Sequence, residues 1–141
     1  MSKTTIAIII IIVIAGLGYW FYQSTLRPEN ELEKSELIRV STPRPDELVQ
    51  SPLIIEGEAR GFWFFEADFP VVLVDWDGLI IAEGIARAKG EWMTEDFVPF
   101  EAKIEFEKPT VKNNGTLILR KDNPSGLPEH DDALEIPILF K

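Results

Sequence analysis

The chain has 141 residues, 24 of them acidic and 14 basic, for a formal charge of −10, and it contains no cysteine. Nucleic acid is excluded as a partner, because phosphate binding draws on clustered lysine and arginine, which here stand singly among carboxylates. A disulfide-stapled scaffold is excluded too, so any folded part must be held by its apolar core.

Between Lys3 and Arg27 there is no charge, and residues 6–22 read IAIIIIIVIAGLGYWFY. The run predicts a transmembrane helix over about residues 4–22: at about 1.5 Å per residue it reaches roughly 28 Å, close to a hydrocarbon layer about 30 Å thick. Ile6, Ile10 and Ile14 are expected to face lipid, with Tyr19, Trp20, Phe21 and Tyr22 at the headgroup level. Lys3 and the amino terminus put the positive charge on the short side. The expected topology is therefore a single pass through the cytoplasmic membrane, amino terminus inside and the rest extracytoplasmic. A cleaved secretory signal is the competing reading. It is disfavoured because Ala15–Gly18 lacks an A-x-A site and runs straight into bulky rings. Residues 1–22 are thus read as a membrane anchor.

Residues 23–37, QSTLRPENELEKSEL, are polar and acidic with no sustained apolar face; Glu and Lys allow a short helix over residues 29–37, but Leu32 and Leu37 alone give little to bury, and the stretch predicts a solvated linker. From residue 38 to 141 the pattern changes to period two, the mark of strands with one buried face. Strands are expected at residues 38–41, 53–60, 71–76, 79–88, 100–107, 116–121 and 134–140. Asp77-Gly78 and Asn114-Gly115 read as hairpin turns, and Pro137 marks the last strand as an edge. Seven short strands predict an all-β, seven-stranded antiparallel sandwich of immunoglobulin or fibronectin type, with a small closed barrel as the alternative.

Three stretches carry a resemblance: SPLIIEGEARGFWFFEA at residues 51–67, WMTEDFVPF at 92–100 and NPSGLPE at 123–129. Together they resemble the immunoglobulin-like domain of bacterial spore-germination proteins. The resemblance implies a seven-stranded sandwich outside the cytoplasmic membrane, and it carries no catalytic residues over to this sequence.

Phe62, Trp63, Phe64 and Phe65, with Phe69 close by, are more aromatic surface than one strand face can bury. In an extended chain Phe62 and Phe64 would face opposite to Trp63 and Phe65. One pair would enter the core, and the other would find cover from Trp92, Phe97 or Phe100 or stay open as a contact surface. Glu66 inside this cluster either accepts backbone N–H bonds that hold a bend or meets a ligand. Phe62, Trp63, Phe64, Phe65, Glu66, Trp92 and Phe97 are therefore the candidate binding residues.

Other constellations are weaker. Asp75, Asp77, Glu129, Asp131 and Asp132 lack the regular ligand spacing of a calcium loop, so no metal or other cofactor is expected. Ser125, His130 and Asp132 make a hydrolase trio only on paper, having no nucleophile elbow or oxyanion hole. The sequon Asn114-Gly115-Thr116 reads as turn chemistry. The sequence thus predicts a non-catalytic, membrane-anchored binding or scaffolding module of a bacterial envelope, whose partner is an envelope protein. The alternative is a carbohydrate or peptidoglycan binder that stacks sugars on Trp63 or Trp92.

Overall fold

The structure, a computed structural model, describes residues 3–25 and 29–141, with side chains described for residues 3–17, 30, 31 and 33–141. Helix α1 runs Lys3–Thr25. Its isoleucines are open all round the circumference, Ile6, Ile10 and Ile14 among them. Among the described residues no helix is long and apolar enough to cross a membrane. The side chains described in α1 end at Leu17, about 22 Å of helix from Lys3. The aromatic belt expected at Tyr19, Trp20, Phe21 and Tyr22 lies outside the residues whose side chains are described.

The rest is mostly β. The strands are β1 (Ile38–Thr42), β2 (Leu48–Val49), β3 (Leu53–Arg60), β4 (Asp68–Asp75), β5 (Ile80–Ala88), β6 (Phe97–Ile104), β7 (Asn114–Arg120) and β8 (Ala133–Phe140). They form one sheet in the order β1-β3-β6-β5-β4-β7-β8-β2. β5 and β6 share only the pairs Arg87–Glu101 and Ala88–Phe100, so the sheet curls most sharply at that junction. β1 and β2 follow each other in the chain yet occupy opposite edges of the sheet. The segment between them therefore joins the two edges of the curled sheet.

Eight strands therefore replace the seven expected, and the addition is β2, which runs parallel to β8 through Leu48–Leu139 and Val49–Phe140. A two-residue strand is too short to show a period. β6 begins at Phe97 rather than residue 100, with Pro99 outward and exposed. Asn114-Gly115 is no turn. Both residues lie inside β7, paired with Leu139 and Ile138. Gly115 is required there because a Cβ would collide with the Val74 carbonyl and the Phe140 ring. The Asp77-Gly78 hairpin is real but has a three-residue loop. Asp75 N–H donates to Leu79 O (2.9 Å), and Gly78 takes the left-handed conformation at φ 77°.

Alternation supplies the core. Val98, Phe100, Ala102 and Ile104 of β6 and Leu134, Ile136, Ile138 and Phe140 of β8 all lie in one continuous buried cluster. Each such side chain contributes roughly 1.5–3 kcal/mol when fully buried, which lets a cysteine-free domain of this size hold together.

Residues 29–34, read in the sequence as part of a solvated linker, instead form helix α2 (Glu29–Lys34), fastened to the sheet. Lys34 Nζ meets Asp132 Oδ1 at 2.6 Å and Arg44 meets Glu31 at 2.7 Å. Asn30 Oδ1 accepts the backbone N–H of Glu135 at 2.8 Å. This contact satisfies a donor on β8 in the stretch that β2 leaves uncovered, which removes part of an exposed sheet edge. The hydrogen bond from Lys34 to Asp132, together with the charges of Asp132 and Glu33, holds its ammonium above its ordinary value despite partial burial.

Candidate functional site

The aromatic string does not continue β3. After Arg60 the chain enters a 3-10 turn, Gly61–Trp63, whose three-residue period replaces alternation. Phe62 and Phe65 consequently come out on the same side, 49% and 42% exposed, while Trp63 (0%) and Phe64 (3%) go inward. The pairing expected from an extended chain is thereby corrected.

What fixes the turn is local packing. Gly61 N–H donates to Asp96 O at 3.1 Å, and Phe64 N–H closes the turn on Gly61 O at 3.2 Å. The Phe64 ring meets Phe69 edge-on at 5.2 Å, and Phe69 meets Phe100 at 4.9 Å, a ladder leading into the main core. Such pairs contribute about 0.5–1.5 kcal/mol beyond their buried area. Trp63 is enclosed completely, and among the described residues its indole N–H has no acceptor.

Phe65 and Asp68 then exchange backbone hydrogen bonds at 2.9 and 3.2 Å around the two residues Glu66 and Ala67. Both take positive φ, 50° and 69°, the geometry of a type I′ hairpin turn that ordinarily recruits glycine or asparagine. Backbone bonding thus makes the bend. Among the described residues the Glu66 carboxylate takes part in no hydrogen bond, and it stands exposed at the tip.

Opposite this hairpin lies the loop joining β7 to β8. Asp122 N–H donates to Trp63 O at 3.0 Å, which staples the loop to the aromatic turn. Asn123 organises the rest: its Nδ2 donates to Leu127 O at 2.8 Å and to Asp131 Oδ1 at 2.7 Å. Between hairpin and loop runs an open cleft of about 330 Å³, lined by Phe62, Phe64 and Phe65 on one side and by residues 121–125 and His130 on the other. Lys121 Nζ stands 5.9 Å from the Phe62 ring centroid, at the outer limit of cation–π attraction. Partial burial, and then the neighbouring Asp68 and Glu66 carboxylates, push the Asp122 carboxyl above its ordinary value, against the pull of a bond from Asn123 N–H. The hairpin side of the cleft offers Phe62, Phe64 and Phe65 with the Glu66 and Asp68 carboxylates close by, and the loop side carries both Lys121 and Asp122.

Of the candidate residues, the structure brings Phe62, Phe64 and Phe65 together at the cleft, with Phe64 as its buried floor and Glu66 at the adjoining tip. Trp63 is removed from the accessible set, so it offers no platform to a sugar. Trp92 is half-buried and packed against the core. Phe97 carries the guanidinium groups of Arg39 and Arg60 at 4.1 and 3.9 Å from its ring centroid, a clamp within the fold and away from the cleft. Ser125 donates to Asn123 Oδ1 at 2.5 Å and accepts from Leu127 N–H, while Asp132 is held by Lys34, so the paper trio is not assembled. Asp75 Oδ1 is occupied by the N–H groups of Asp77 and Leu79. Among the described residues no group of acidic or histidine side chains is arranged to hold a metal.

Sequence reasoning missed the contribution of Asp122 and His130 to the cleft. Both lie just outside the stretch 123–129, and no local signal in the sequence ties them to the aromatic turn. A roomier hollow of about 430 Å³ lies over β1, β3 and β6. Arg39 is paired with Glu58 and Lys89 with Glu101, which leaves Glu56 as the lining charge without an ion pair among the described residues.

Residues 37–127, well over half the chain, match the family model Gmad2, described as the immunoglobulin-like domain of bacterial spore germination. No curated protein and no solved structure matches the chain.

Proposed function

This chain belongs to the Gmad2 family of immunoglobulin-like domains of bacterial spore germination, and from that premise we propose that it is a non-catalytic binding module held at the outer face of the cytoplasmic membrane by α1. The membrane reading is supported by the apolar run of α1. Isoleucine and valine side chains from Ile6 to Ile14 are open to the surroundings on every side, and a helix apolar all round needs an apolar environment to cover it. The charge asymmetry around the run supports the outward placement of the domain.

The observation that carries the binding role is the side-by-side exposure of Phe62 and Phe65 over the cleft. Both rings sit on a backbone fixed by hydrogen bonds, so little ordering entropy is lost when a partner covers them. Asp122 in the cleft and the neighbouring Glu66 and Asp68 carboxylates outnumber Lys121, which favours a partner segment with basic as well as apolar side chains. A protein of the envelope fits better than a glycan, because of the two rings expected to stack sugars Trp63 is buried and Trp92 is half-buried against the core.

The test is a photo-crosslinking residue in place of Phe62 in cells that make the full chain, with the same residue at Ile85 on the β5 surface as control. The expected result is a discrete protein adduct from position 62, absent at position 85, and abolished by Phe65→Ala. Identical adducts from both positions would refute the cleft as the contact site. A product resistant to proteases and sensitive to wall-degrading enzymes would transfer the role to a glycan.

A further inference from the structure

Helix α2 runs antiparallel to β8. Its Lys34 end meets Asp132 ahead of the strand, and Asn30 meets Glu135 further along. Followed backward, the chain therefore descends toward the end of the sheet where β8 finishes and the β4–β5 hairpin turns. Only residues 26–28 separate α1 from α2, and so short a connection spans at most about 14 Å. The candidate cleft is at the opposite end of the strands, beyond Arg60 and Arg120.

The end nearer α1 exposes several large apolar side chains around one carboxylate, Asp77. Trp76, Leu79 and Ile80 of the β4–β5 hairpin are 40%, 63% and 52% exposed, and Val111 of the β6–β7 loop is 74% exposed. Lys112 brings the two loops together, its Nζ lying 4.4 Å from the Trp76 ring centroid. Indole, branched aliphatics and a lysine with an apolar stem are the side chains that settle at a bilayer interface, each with a polar tip for the headgroups or an apolar body for the acyl boundary.

The geometry points to the Trp76–Ile80 hairpin and the Val111–Lys112 loop as a second membrane contact, seated in the headgroup layer of the bilayer that holds α1. This inference rests on the membrane reading proposed above. The short connection holds the domain against that surface, so weak insertion of two loop tips suffices to orient it. The contact fixes the domain upright, with the Phe62–Phe65 cleft facing away from the lipid.

Because the chain has no cysteine, Leu79→Cys can carry a single polarity-sensitive fluorophore in the full chain reconstituted into phosphatidylethanolamine–phosphatidylglycerol vesicles. Val111→Cys is the second reporter, and Met93→Cys, 73% exposed beyond β5 at the far end, is the control. Labels at 79 and 111 are expected to shift to the blue and to be quenched several-fold more by brominated acyl chains than the label at 93. Equal quenching at all three positions in chains that float with the vesicles would overturn the seated hairpin and leave the anchor standing. Failure of the full chain to float would overturn both.

Discussion

Gly61 lies with its Cα against the carbonyl oxygen of Thr94, closer than any side chain would permit. The contact joins the aromatic turn after β3 to the loop before β6, and with the bond from Gly61 N–H to Asp96 O it sets the direction in which Phe62 leaves the fold. Gly61→Ala must push two backbone segments apart. It is expected to cost on the order of 2–3 kcal/mol in a urea titration and to weaken partner capture at Phe62 as well. A fully stable Gly61→Ala variant would show that this approach is not tight in solution.

Ala67 holds φ 69° with a side chain that disfavours it, beside Glu66 at 50°. Left-handed backbone costs a non-glycine residue roughly 1–2 kcal/mol, part of which glycine gives back through its freer unfolded state. Ala67→Gly is therefore expected to raise stability by about 0.5–1 kcal/mol, read as a higher denaturation midpoint with an unchanged slope. A lower midpoint would mean that the turn is not type I′.

Trp63 combines complete burial with an indole N–H that has no acceptor among the described residues. Trp63→Ala opens a large cavity and should cost about 3–5 kcal/mol. Trp63→Phe removes the unsatisfied donor along with part of the ring, so the two effects oppose each other and the loss should be well below that of alanine. Denaturation of the two variants side by side decides this. Similar losses would show that the indole N–H is satisfied in solution.

Much of the fold could be read from alternation. Leu53, Ile55 and Ala59 of β3 and Phe100, Ala102 and Ile104 of β6 point inward as their period requires. The failures share a cause, since they depend on contacts between distant parts of the chain. Nothing near Asn114-Gly115 announces that the Phe140 ring will press on the glycine, so a close-packed strand reads as a turn. Nothing near Lys34 announces Asp132, so a docked helix reads as a linker. At the site, aromatic density pointed to the segment that lines the cleft. The choice of which rings stay open was made by the 3-10 turn, whose causes lie in Thr94 and Asp96. Asp122 and His130 reach the cleft only because their loop is stapled back to Trp63.

Asp122 should make the stability of this domain depend on pH in the sense opposite to a salt-bridged carboxylate. Burial and the Asp68 and Glu66 charges hold its carboxyl above the ordinary value in the fold. Below the unfolded group's value both states are protonated and the group costs nothing. As pH rises through the interval up to the folded value, the unfolded chain releases its proton first, and the native state loses stability. Asp122→Asn keeps an oxygen to accept the Asn123 N–H and removes the charge. It should therefore stabilise the domain at neutral pH, with the gain shrinking to nothing as the solution is acidified past the carboxylate range. Urea titrations of both proteins across that range give the answer. A gain independent of pH would locate its origin in packing, and a loss at neutral pH would mean that the ionised carboxylate has a partner that holds it.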